Sequence, residues 1–261
     1  VQGMHKSPHV GFALDFAQHR QYAPGDDIKR IDWRVYAKAD PYYIKQYEVT
    51  TNLKAYLVVD ASGSMAYRGA QDTVSKFHYA TLMATCLAYV ILHQQDSAGL
   101  ITFDQGVREF VPPRSASSHL FTLIRALEAG TPSAKGTGDA SIAEVLHHLA
   151  ERIGHRHMVI VLSDFFDNVD RLLEALHHLR HNRHEVLLLQ IMAEDELSFP
   201  FKKFTLFESL ETAGKKLRLD PAAMRATYLE NLARHMEKLR DGASALRIDH
   251  ALFKTSQPLD R

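Results

Sequence analysis

The sequence predicts an α/β domain built on a doubly wound, mostly parallel sheet with helices on both faces, preceded by a strand-containing N-terminal extension. Three observations carry this expectation. Four short runs, 55–59, 98–103, 158–162 and 186–192, are apolar at nearly every position, as strands covered on both faces must be. Segments of helical periodicity separate those runs, and strands alternating with helices call for parallel pairing. The chain has 261 residues, 46% hydrophobic and 24% charged, an ordinary globular composition with length for one large domain or two small ones.

Residues 1–52 are polar and irregular and form an extension expected to pack on the core. They hold a strong turn signal in Tyr22-Ala23-Pro24-Gly25-Asp26-Asp27 and an alternating strand over 43–49. From residue 53 the core domain begins. Its first apolar strand runs directly into Asp60, and a helix is expected over 73–94, apolar nearly all round from 79 to 92 and so buried. Strand 98–103 ends in Asp104, and a short strand 107–111 follows a Gln105-Gly106 turn. Helices are expected over 118–127 and 140–153, strand 158–162 ends in Ser163-Asp164, and helix 169–181 leads to strand 186–192. Residues 199–219 read as a small strand-rich insertion. Asp220 caps a helix over 221–240 with Pro221 at its first position, and 247–254 alternates as an edge strand.

Lys plus Arg and Asp plus Glu both number 31, so the formal charge is zero, which argues against a general nucleic-acid or anionic-membrane binder. The longest near-apolar run, 80–92, is too short to span a bilayer. No secretory leader opens the chain, and Val1-Gln2-Gly3-Met4 reads as an internal start, so upstream sequence is expected. The one cysteine, Cys86, excludes an intramolecular disulfide, is expected as a buried inert thiol, and fits a cytoplasmic setting.

Chemistry concentrates at Asp60-x-Ser62-x-Ser64. One carboxylate and two hydroxyls in a tight strand-to-helix loop offer hard oxygen donors, which suit Mg²⁺ or another divalent cation such as Mn²⁺ or Ca²⁺. The plain alternative is that these residues only cap a turn and the next helix. Two further segments can reach the loop: the glycine-flanked Thr137, just before a helix, and Asp164, at the end of a strand. In doubly wound sheets, ligands bind at the carboxyl ends of strands near the point where strand order reverses.

Asp60-x-Ser62-x-Ser64, Thr137 and Asp164, in this order of elements, resemble the metal-ion-dependent adhesion site of von Willebrand factor A domains. Over nearly its whole length the chain also resembles the domain-of-unknown-function family fifty-eight. The carriers are Arg20 to Asp27 with Ile31-Asp32-Trp33, then Tyr43-Ile44-Lys45, Thr51-Asn52-Leu53, Ser163-Asp164-Phe165, Phe199-Pro200-Phe201 and Asp220-Pro221. Members of that family are commonly encoded beside MoxR-type AAA+ ATPases. The resemblance therefore implies a metal-dependent protein-binding module that works with such an ATPase in assembly or chaperone-like activation of clients. A partner or client would offer an Asp or Glu to the metal.

Other readings compete. A phosphoryl-transfer or hydrolytic enzyme could use the same Asp/Ser site, but aspartyl phosphotransferases want Asp-x-Asp, and Ser62 lacks the glycines of a serine-hydrolase elbow. No nucleotide-binding glycine fingerprint is present, and a non-enzymatic role is expected. Asp26, Asp27, Asp32 and Trp33 form a distinctive cluster: either Asp27 and Asp32 pair with Arg20, Lys29 or Arg30 while Trp33 packs onto the sheet, or the cluster is a docking surface. His177, His178, His181 and His184 lack a recognised zinc spacing and read as a solvated, weakly basic face.

Overall fold

A computed structural model describes residues 14–24, 26, 28, 31–36, 41–49, 53–70, 72–132, 141–201, 205–208, 216–219 and 221–258. The chain divides into two compact units, 1–52 and 53–261.

In the first unit, β1 (Leu14–Gln21) and β2 (Tyr43–Val49) pair antiparallel, with an irregularity between Phe16 and Gln18. The short helix α1 (Trp33–Tyr36) is capped by Asp32, whose Oδ1 accepts from the backbone N–H of Arg34 at 3.0 Å. The turn signal is realised through Asp26. It accepts from Ala23 N at 2.9 Å and from Arg20 Nη2 at 2.7 Å, and these two bonds hold its carboxyl below the usual range. Trp33 is 57% exposed, edge-on to Tyr36, which itself stacks on Tyr42 at 4.5 Å. The ring of His19 lies 3.0 Å from Asp32 Oδ2. Asp27, Lys29 and Arg30 lie outside the described residues.

The second unit runs β3 (Lys54–Asp60), a 3-10 turn (Gly63–Ala66), α2 (Lys76–His93), β4 (Ser97–Phe103), β5 (Val107–Arg114), α3 (His119–Ala129), α4 (Ile142–Arg152) and β6 (Met158–Ser163). It continues through α5 (Val169–His181), β7 (Glu185–Met192), α6 (Glu194–Ser198), β8 (Thr205–Glu208), β9 (Lys216–Leu219), α7 (Pro221–Ala245) and β10 (Asp249–Lys254). The sheet order is β10-β7-β6-β3-β4-β5. Every pair is parallel except β4–β5, and β8–β9 is a separate antiparallel hairpin within the strand-rich insertion.

Alternation splits each apolar run between two cores. Tyr56, Val58, Val159 and Val161 face the cluster built with α4, α5 and α7, whereas Ala55, Leu57, Val59, Ile160 and Leu162 face the one built with α2 and α3. Strand β5 runs three residues beyond Val111, through Pro112 and Pro113, because an edge strand tolerates proline. Helix α2 starts at Lys76 because Ser75 caps it, accepting from His78 N at 3.2 Å.

Two expectations for α2 are corrected. The helix is not buried all round: Leu82, Tyr89 and Val90 are exposed, and so is Cys86. Its apolar residues exceed what one face against the sheet can cover. Asp220, expected as the cap of α7, lies outside the described residues. Among the described residues, no helix is long and apolar enough to cross a membrane.

Candidate metal centre

Strand order reverses between β3 and β6, because β3 leads to β4 on one side while β6 pairs on the other. Parallel register places Val59 beside Leu162, so Asp60 and Ser163 emerge together at the carboxyl edge and Asp164 follows. That is where a ligand site is expected in such a sheet.

Asp60 is 5% exposed. Its Oδ1 accepts from Ser62 N at 2.8 Å, which tightens the loop, and its Oδ2 accepts from Ser163 Oγ at 2.5 Å. Ser163 Oγ in turn accepts from Phe165 N at 3.0 Å, tying the two strand ends into one rim. Ser62 and Ser64 are half-buried, with their hydroxyl oxygens 3.1 Å apart. Ser62 makes no side-chain capping bond to the turn behind it, so its hydroxyl is not absorbed by capping.

Asp164 is 2% exposed. Its Oδ1 accepts from Phe166 N at 3.1 Å, and its backbone carbonyl accepts from Gln190 Nε2 at 3.0 Å. The next residue, Phe165, has φ 56, a left-handed conformation costly for a bulky side chain. It buries Phe165, while Phe166 turns outward at 44% exposure. The strain is held by Ser163 Oγ and by His235 Nε2, which donates to the Phe165 carbonyl at 3.0 Å.

The structure thus brings together four of the five expected site residues: Asp60, Ser62, Ser64 and Asp164. The fifth, Thr137, lies outside the described residues. It also adds residues that sequence reasoning did not single out. Lys76, with no exposed surface, donates to Asp164 Oδ2 at 2.8 Å and to Glu196 Oε1 at 2.6 Å. Glu196 Oε2 accepts from Ala193 N at 2.9 Å, which fixes it in the first turn of α6. Signals existed for two of them. Lys76 sits in the first turn of a helix, where a cation opposes the dipole, and Gln190 interrupts an otherwise apolar strand.

Electrostatics mark this rim as short of positive charge. Burial, and then the charge of Asp164, push the Asp60 carboxyl up to about 7 against the bonds from Ser163 and Ser62. Burial would lower the Lys76 ammonium, but Asp164 and Glu196 together raise it above its ordinary value. Burial also raises Glu196, with Lys76 pulling the other way. With all four groups ionised, Asp60, Asp164, Glu196 and Lys76 carry a net charge of −2, which one divalent cation balances. Among the described residues, no three histidine, cysteine, aspartate or glutamate side chains converge as a cage, so hydroxyls must complete any donor set. Carboxylate and hydroxyl oxygens fit Mg²⁺, Mn²⁺ or Ca²⁺ and not a thiolate-seeking metal. An open cleft lies elsewhere, between α7 and β10, lined by Met236, Glu237, Arg240, His250 and Leu252, and it gathers no comparable oxygen set.

The histidine-rich region departs from expectation at two positions: His178 is half-buried, its Nδ1 3.2 Å from His147 Nδ1, and His184 is enclosed. His177 and His181 are exposed, but His184 is fully buried. Its Nδ1 accepts from His157 N at 3.2 Å, and burial followed by the neighbouring His157 pushes its pKa down to about 4.

Comparison with known proteins agrees with this architecture. Uncharacterized proteins Rv1480 of Mycobacterium tuberculosis and Mb1516 of Mycobacterium bovis are each 25% identical over 238 residues, 90% of this chain and 73% of theirs. Among solved structures, the conserved hypothetical protein BatB of Bacteroides thetaiotaomicron aligns over 77% of this chain and 90% of its own. The identity is 15% and the TM-score 0.52. An aerotolerance-related membrane protein of Bacteroides fragilis aligns over 78% and 92%, at 14% identity and TM-score 0.54. These likenesses concern the fold, and the doubly wound, mostly parallel α/β fold expected from the sequence is the fold found. The family model described as protein of unknown function DUF58 matches residues 18–238, and the chain belongs to that family.

Proposed function

We propose that this chain is a metal-ion-dependent protein-binding module in which Asp60, Ser62, Ser64 and Asp164, joined by Thr137, hold a divalent cation, with Mg²⁺ the first choice. The observation that carries the reading is the pair of buried carboxylates, Asp60 and Asp164, beside two half-buried hydroxyls at the point where strand order reverses. When bound, the cation supplies positive charge and an exchangeable position that an Asp or Glu of a partner can fill. Ser62 and Ser64 present neutral oxygens toward it. Ser163 and the Ser62 N–H orient Asp60, and Phe166 N and Gln190 orient the Asp164 loop. The zero net charge favours a protein partner over nucleic acid, and the family resemblance leads us to infer a MoxR-type AAA+ ATPase or its client in the cytoplasm as that partner.

The test uses the whole chain and a Ser62→Ala/Ser64→Ala variant. Titration with Mg²⁺ should show affinity reduced at least about tenfold in the variant, with the unfolding midpoint in EDTA unchanged. Equal affinity would remove the hydroxyls from the site. Affinity capture should then recover an AAA+ ATPase with the native chain in Mg²⁺, and not with the variant or in EDTA. Turnover of a generic phosphate ester that disappears in Asp60→Asn would favour the enzyme instead.

Phe166 extends the reading to the partner. It is 44% exposed, two residues from Asp164, an apolar anchor beside the cation. Phe166→Ala is expected to weaken partner binding roughly tenfold or more while the chain still binds Mg²⁺. Surface plasmon resonance with the captured partner checks the first, and calorimetry the second.

A further inference from the structure

Lys76 is the side chain that the fold alone explains least. It is the first residue of α2, where the helix end already carries partial positive charge and a cation is unfavourable. Its side chain is nevertheless wholly enclosed, with Nζ between Asp164 Oδ2 at 2.8 Å and Glu196 Oε1 at 2.6 Å and facing the ring of Phe166 at 5.3 Å. Enclosing an ion pair costs desolvation that an apolar side chain of similar volume would not incur. The other oxygen of Asp164, Oδ1, already accepts from Phe166 N, so with Lys76 on Oδ2 both oxygens of this carboxylate are engaged within the protein.

We propose that Lys76 is a built-in counter-ion of the cation site: it sets the charge of the site and holds Asp164 back, so that a divalent cation binds with restrained affinity and keeps positive charge for an acidic partner. This rests on the reading of Asp60, Ser62 and Ser64 as cation ligands. Without Lys76, the three carboxylates around the rim would present −3 instead of −2 to the ion, and Asp164 would be released toward it. Glu196 acts with the opposite sign. Neutralising it leaves Lys76 to Asp164 alone and lowers the charge facing the ion to −1. Lys76 is thus a positioning residue that tunes affinity from the side of the site facing α6.

Calorimetric titration of the whole chain with Mg²⁺ alone, at pH 8, tests this in the wild type, Lys76→Met and Glu196→Gln, with unfolding in EDTA measured alongside. Lys76→Met is expected to bind Mg²⁺ at least about tenfold tighter although it is less stable in EDTA, because attraction to the ion grows with the carboxylate charge left unpaired. Glu196→Gln is expected to bind about tenfold weaker. A residue with a merely structural role would lower stability and affinity together, so a rise in one with a fall in the other is the distinguishing sign. A wild type that binds while both variants match it, or move in the same direction, overturns the counter-ion role and leaves the cation site standing. A wild type that neither binds Mg²⁺ nor gains stability from it overturns both readings. Should Lys76→Met not fold, Lys76→Gln, which keeps N–H donors without the charge, replaces it and must also bind tighter.

Discussion

Asp60→Asn is expected to stabilise the cation-free protein at pH 8 and to abolish its response to Mg²⁺. The Asp60 carboxyl, pushed up to about 7 from an ordinary 3.8, is a group whose folded pKa exceeds its unfolded one. Its contribution to stability is full below about pH 4 and is lost as pH rises through 7, because the unfolded chain releases the proton first. At pH 8 the wild type has therefore lost a few kcal/mol, about 4 at the ceiling, that the asparagine variant retains. Asparagine keeps an oxygen for the Ser62 N–H and a polar partner for Ser163, so the loop survives. Mg²⁺ should restore the wild type at pH 8 and much less at pH 5, where a proton competes for Asp60. Urea unfolding of both proteins at pH 5 and 8, with EDTA and with Mg²⁺, reads all of this. A variant less stable than the wild type in EDTA at pH 8, or one still stabilised by Mg²⁺, would remove Asp60 from the centre of the site.

His184 is expected to make the core domain acid-labile. Its pKa falls from an ordinary 6.5 to about 4 on folding, because burial and then His157 disfavour its charged form. Its contribution to stability is full above pH 6.5 and is lost as pH falls through 4, since the unfolded chain takes up the proton first. The loss amounts to about 3 kcal/mol over that window. His119, His157 and His250 are lowered too, each mainly by burial, and act in the same direction. His184→Asn keeps an acceptor for the His157 N–H, and is expected to be less stable than its parent at pH 8 and to converge on it by pH 4.5. Asp60 titrates with the opposite sign across the same range, so the comparison belongs in an Asp60→Asn background, by urea unfolding in EDTA. Parallel stability curves for the two proteins between pH 6.5 and 4.5 would refute the assignment.

Much of the fold was legible because it rests on local pattern. Strands β3, β4, β6 and β7 appear as continuous apolar runs since both faces are covered, and α5 spans 169–181 as periodicity and the cap at Asn168 require. Asp60, Ser62 and Ser64 were legible as a candidate site because they fall within five residues at the end of a strand. The exposed face of α2 was not, because periodicity counts apolar residues without knowing how wide a face the sheet covers. Burial of His184 was hidden for the converse reason: a polar residue at a strand entrance gives no sign of the helix and loop that close over it.

The sequence by itself determined the parallel α/β class and the oxygen chemistry of one loop, since both depend on residues adjacent in the chain. Only the tertiary structure decided the company that loop keeps. Ser163 reaches Asp60 across 103 positions, Lys76 reaches Asp164 across 88, and Glu196 reaches Lys76 across 120. The charge of a site is a sum over everything its burial forces together, and no spacing along the chain records that sum.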